Sequence, residues 1–138
     1  MNVKTMMLGT ALVVAAAQPL PALAAADTVA AMLKGYEAAG AGPFDAARGQ
    51  QMWTREHADA KTGGRISCAT CHHADLSRGG SHYRTGKPIE PMSPRVTPSR
   101  LTDPDKVEKW FLRNCKATLG RVCTPQEKGD FLVFIQGQ

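Results

Sequence analysis

The stretch "ISCATCHHADLSRGG", residues 66–80, decides how the rest of the chain is read. It sets Cys68 and Cys71 three residues apart, with His72 directly after the second cysteine. In a C-x-x-C-H run, two thiols add across the vinyl groups on neighbouring edges of a porphyrin and the following imidazole takes the iron from one face. That is the attachment signature of c-type haem. Three other readings of the pair compete with it. A thioredoxin-like dithiol wants a strand–helix–strand setting, which the helical pattern around it does not offer. A zinc site made from Cys68, Cys71, Cys115 and Cys123 has a second pair separated by seven residues, looser than zinc-knuckle spacing. A disulfide between Cys68 and Cys71 would close a tight, strained loop. The expectation is therefore one covalent haem c, with Cys68 and Cys71 as its thioethers and His72 as the proximal iron ligand. His73 is too close in sequence to reach the opposite face of the same iron and is expected at the surface or the haem edge.

Upstream, the chain opens "MNVKTMMLGTALVVAAAQPLPALAAADT", with Lys4, an apolar run from Met6 to Ala17, two prolines and a closing "ALA". This layout predicts a secretory signal peptide over residues 1–24, cleaved after Ala24, and a haem domain over 25–138. The apolar run is shorter than the roughly 20 residues of a spanning helix, and no later stretch is apolar enough to insert in a membrane. Export points to a bacterial periplasm, an oxidising compartment in which disulfides persist. Seventeen Lys and Arg against twelve Asp and Glu give a formal charge of +5, and about +4 once Lys4 leaves with the leader. The positive charge is mild and scattered, without the basic helix and interleaved aromatics that nucleic-acid binding calls for.

Beyond the leader there is no repeat or low-complexity tract, and the pattern is all-α. "DTVAAMLKGYEAAG" predicts a first helix capped by Asp27 or Thr28. "FDAARGQQMWTREHA" predicts a second, capped by Asp45. Gly49 inside it costs about 1 kcal/mol relative to alanine, and a close crossing by another helix would explain its presence. Residues 63–98 are rich in turns, and so long a loop in a compact domain is expected to wrap something. "TDPDKVEKWFLRNC" predicts a helix capped by Thr102 or Asp103, with Pro104 in its first turn. Val107, Trp110, Phe111 and Asn114 share one face of it. A final helix opens on the capping box Thr124–Glu127 and buries Phe131, Phe134 and Ile135. Four phenylalanines, two tryptophans and a modest set of aliphatics make a small core, which a macrocycle would complete.

Three residues compete for the position opposite His72. Met92 would make a closed electron-transfer cytochrome, since thioether ligation favours the ferrous state, yet it follows His72 by only 20 residues. His82 sits in "GGSHYRTG", where a solvated loop histidine is the default. Asn114 lies on the inward helical face, and by spacing alone it reads first as a cap for that helix end.

"GYEAAGAGPFDAARGQQMW" (35–53), "CATCHHADLSRGG" (68–80), "RTGKPIEPMSP" (84–94), "VTPSRLTD" (96–103), "VEKWFLRNC" (107–115) and "LGRVCTPQEKGDFL" (119–132) together resemble, in order, the sphaeroides haem protein family. The resemblance implies a small class I cytochrome c fold wrapped around one haem, with Asn114 as a labile distal ligand. It also implies a disulfide between Cys115 and Cys123. The ferric form would hold Asn114; reduction would release it so that O2, NO or CO binds. The electron donor implied is a partner cytochrome, multihaem or membrane-bound. Two positions depart from the family pattern: His73 stands where the pattern has glycine, and Met92 where it has leucine. Met92 as sixth ligand is thus the alternative, and with it a plain electron carrier. Reduction of oxygen, peroxide or NO as an enzyme is a third expectation; no distal acid or base is evident, although Arg113 and Lys116 are near Asn114 in sequence.

Overall fold

The computed structural model describes residues 21–138, and residues 1–20 of the expected leader lie outside it. Five helices follow one another: α1 (Pro21–Ala38), α2 (Ala46–Thr54), α3 (Cys68–His72), α4 (Pro104–Leu119) and α5 (Pro125–Gln136). Between α2 and α4 the chain makes two antiparallel ladders of two residues a side, β1 (His57–Ala58) with β2 (Arg65–Ile66) and β3 (Gly80–Ser81) with β4 (Pro88–Ile89). Among the described residues no helix is long and apolar enough to cross a membrane.

The first helix corrects the sequence reading. Among the described residues it already runs from Pro21, so Asp27 and Thr28 lie inside it and neither caps it. Thr28 instead donates its hydroxyl to the Thr102 carbonyl at 3.3 Å, joining α1 to the start of α4. Cleavage after Ala24 would leave the helix starting at Ala25, a buried residue of the core.

The second helix is capped as expected, the Asp45 carboxylate accepting from the Arg48 amide at 3.0 Å. It stops at Thr54, short of the expected end, and His57 and Ala58 enter β1. Gly49 marks its crossing with α5. A Cβ there would overlap the Asp130 carbonyl and lie 2.7 Å from the Phe134 Cβ. Next to the crossing Asp130, 2% exposed, accepts from the Asp45 amide at 2.7 Å and from Arg48 Nε and Nη2 at 2.9 Å each. Burying a carboxylate is costly unless its lone pairs are filled. Here α2 and Gln126 of α5 fill them.

α4 starts on Asp103, whose side chain accepts from the Lys106 amide at 3.0 Å, with Pro104 first in the helix. It continues to Leu119 and ends on Gly120 at φ 71°, the left-handed conformation that glycine adopts at little cost. Asn114 is therefore inside the helix, and its reading as a cap is wrong. The Cys115 and Cys123 sulfurs are bonded at 2.01 Å, both residues buried, tying α4 to the segment before α5. α5 opens on the reciprocal Thr124–Glu127 box and buries Phe131, Leu132, Phe134 and Ile135 against Val29, Trp53 and Leu76.

Candidate haem site

Cys68, Cys71 and His72 lie on one short helix because Ser67 and Thr70 start it. The Ser67 amide donates to the Thr70 hydroxyl at 2.9 Å. Strand β3 crosses this helix closely at Gly80. A Cβ there would overlap the Cys71 carbonyl and stand 3.1 Å from the His72 Cα, so only glycine lets the loop close over the motif.

The helix faces a cavity of ≈ 580 Å³, within the range of cofactor sites. Cys68, Cys71 and His72 line it, and α4 contributes Val107, Phe111 and Asn114 to its wall. Met92 and Leu101 enter from the connecting loop. Of the three distal candidates, each lines this same cavity, but they are mounted differently. Met92 is half-buried against the core, and its neighbour Ser93 is held by a backbone bond to Leu76 and a hydroxyl bond to the Gln138 carbonyl at 3.0 Å. His82 is held within its own turn, Nδ1 accepting from the Arg84 and Thr85 amides at 3.4 and 3.3 Å. Asn114 projects from the middle of α4 and is exposed.

The residues present fit a haem. Both thiols are free and half-buried. Burial pushes the Cys68 thiol up to about 12 and the His72 imidazole down to about 4, the latter favouring the neutral ring that a metal requires. His72 Nδ1 is buried with no hydrogen-bond partner. Such an orphan is rare in a finished interior and suits a ring whose role is completed by a bound group.

Trp53 is the functional residue that the pattern concealed. It is buried, its ring centroid is 5.5 Å from that of His72, and its Nε1 donates to the His73 carbonyl at 2.8 Å. It therefore fixes both the plane of the ligand and the backbone after it. Helical spacing places Trp53 on a core face but says nothing of its partner. His73 is exposed, at φ 62° and ψ 165°, a region almost reserved for glycine. A residue with a Cβ thus stands where glycine is favoured.

Residues 39–135 match the family described as Domain of unknown function (DUF1924). The chain is 46% identical over 121 residues to the cytochrome c-type protein SHP of Cereibacter sphaeroides, covering 86% of this chain and 90% of that protein. The solved structure of oxidized SHP, an oxygen-binding cytochrome c, superposes with a TM-score of 0.72 at 45% identity, covering 80% of this chain and 96% of that one. The solution structure of cytochrome c'' from Methylophilus methylotrophus, described in terms of haem-ligand detachment, gives a TM-score of 0.68 at 30% identity over 83% of this chain and 93% of that one. These c-type cytochrome relatives imply a covalently bound haem c. With a helical fold in common with them and 46% identity over most of both chains, the chain belongs to the SHP family of c-type cytochromes.

Proposed function

We propose that this protein is a periplasmic monohaem cytochrome that takes an electron from a partner cytochrome, releases Asn114 from the iron and binds a diatomic gas, O2, NO or CO. The observation that carries the reading is Asn114 itself. It is an amide inside a helix, with no capping duty, on the wall of the cavity that His72 lines. Support also comes from the oxygen binding of SHP and the ligand detachment of cytochrome c''.

When bound, the haem supplies an iron that accepts one electron and offers a position for a gas. Cys68 and Cys71 would hold it covalently, and His72, kept neutral by burial and packed by Trp53, would be its permanent ligand. Asn114 presents its amide oxygen, the more basic atom of the group. An amide oxygen is a hard, weak donor, better suited to ferric than to ferrous iron, so reduction would weaken its hold. Phe111 and the rim residue Trp110, 45% exposed, give that side of the cavity an apolar wall. Cleavage of residues 1–24 on export places the protein in the periplasm.

Carbon monoxide added to the reduced protein tests this reading. A rapid shift of the Soret band is expected, with Asn114→Ala open to exogenous ligands already in the ferric form. Failure to bind, together with a methionine-to-iron charge-transfer band in the ferric spectrum, would assign the position to Met92 and make the protein an electron carrier.

A further inference from the structure

Arg100 lies beside the cavity in an arrangement that the helical core does not explain. Its side chain is only 22% exposed and its residue lines the cavity wall. Nε donates to the Pro91 carbonyl and Nη2 to the Glu90 carbonyl, each at 2.9 Å. The nearest carboxylate, that of Glu90, is 4.0 Å away and 78% exposed, which makes it a weak counter-ion. Among the described residues Nη1 donates to none. The charge is half-desolvated, and burial accordingly pulls the guanidinium below its ordinary value.

A guanidinium is planar and has a fixed fork of donors, so two edges committed to carbonyls leave the remaining edge aimed in one direction. A desolvated cation of this kind is stable when an anion meets that edge. Protein carboxylates do not. A haem brings two carboxylates of its own on one edge of the macrocycle, and the cavity that receives the macrocycle is the one Arg100 lines. We propose that Arg100 is the anchor for a haem carboxylate, pairing with it through Nη1 while its other donors brace the 90–91 segment. The inference rests on the haem reading of this cavity. It makes Arg100 a determinant of the reduction potential, because a cation that neutralises a carboxylate near the iron disfavours the more positive ferric state.

The test uses the mature holoprotein with Arg100→Gln and Arg100→Lys. Haem content by the pyridine haemochrome comes first: no covalent haem in the wild type overturns the reading of the site itself. With haem present, spectroelectrochemistry at fixed pH and salt should find Arg100→Gln shifted toward the ferric form by about tenfold in the one-electron equilibrium, ~59 mV downward. Arg100→Lys keeps the charge and should recover most of that shift, even if the lost carbonyl bonds lower its melting temperature. An Arg100→Gln potential equal to wild type, with stability alone reduced, overturns the proposal and leaves Arg100 as a loop brace. Should the glutamine variant fail to mature, a crystal structure of the wild-type holoprotein decides. A guanidinium–carboxylate contact of about 2.8 Å is expected, and a separation beyond hydrogen-bond reach of both haem carboxylates refutes it.

Discussion

Replacing His73 by glycine should make this protein more stable, an unusual direction for a change next to an iron ligand. At φ 62° and ψ 165° the backbone occupies a region that costs a residue with a Cβ about 1–3 kcal/mol. The interactions that hold it there are made by the backbone, the His73 amide donating to the Ala69 carbonyl at 2.9 Å and its carbonyl accepting from Trp53, so glycine retains them. The exposed imidazole contributes little packing. Against the gain stands the extra entropy of glycine in the unfolded chain, about 0.5–1 kcal/mol. The net is about 1 kcal/mol of stabilisation, which for a domain of this size raises the melting temperature by about 3–5 °C. Thermal unfolding of the ferric holoprotein by circular dichroism measures it, with the Soret band as a check that His72 is undisturbed. His73→Ala is the control, since it removes the imidazole and keeps the Cβ. If alanine and glycine give the same melting temperature, or glycine lowers it, the strain argument is wrong.

Two further substitutions probe the mounting of α4 and α5. Removing the disulfide with Cys115→Ala and Cys123→Ala together should lower unfolding stability by about 2.5 kcal/mol, from the entropy of closing so short a loop. Denaturant titration reads the loss, and a ferric spectrum changed beyond it would show that the bond also holds Asn114 to its task. The Arg121 guanidinium, reaching Glu127 at 2.8 and 2.6 Å, and the Thr124 amide at 2.8 Å hold the Glu127 carboxyl below its ordinary value of 4.5. A lowered folded-state value means that this stabilisation is complete above about pH 4.5 and is lost as the pH falls through the depressed value. Glu127→Gln should therefore cost up to about 1 kcal/mol at neutral pH, and the gap to wild type should close in acid; a gap that is constant with pH would refute it.

The parts of the fold legible in sequence are those set by neighbours in the chain. Asp45, Asp103 and Thr124 cap their helices because a cap is a bond to an amide three residues on. Gly49 advertised the α2–α5 crossing because glycine inside a helix has few other reasons to be there. The cysteine motif carried its own geometry in its spacing. What stayed hidden depends on residues far apart in sequence. α1 runs from Pro21 among the described residues, straight through the Asp27 and Thr28 that local pattern offered as caps. The two small ladders in residues 57–89, one of them crossing α3 at Gly80, have no alternating pattern of their own. Trp53 and Arg100 gain their meaning from partners 19 and more positions away or from the cavity itself, which no periodicity displays.

How α4 is held limits how Asn114 can act. Its beginning is tied to α1 by Thr28 through the Thr102 carbonyl. In its second turn, Glu108 accepts from Tyr36 of α1 and, at 2.6 Å, from Lys128 of α5; burial first, and Glu108 second, drive the Tyr36 phenol well above its ordinary range, so it stays a donor. Towards its end, Cys115 is bonded to Cys123. These three ties leave the face of Val107, Phe111 and Asn114 free to line the cavity, while the helix itself is fixed just before its first turn, in its second turn and at Cys115. A displacement of the whole helix would have to break at least two of them. Release of the proposed ligand is therefore a rotation about the side-chain torsions of Asn114, a motion of picoseconds to nanoseconds for an exposed residue. The consequence is kinetic: once the protein is reduced, gas binding should be limited by diffusion through the cavity mouth and not by a conformational change of the fold. A gas-binding rate that saturates with ligand concentration at milliseconds would place the slow step in α4, and so contradict the rigid mounting inferred from its ties.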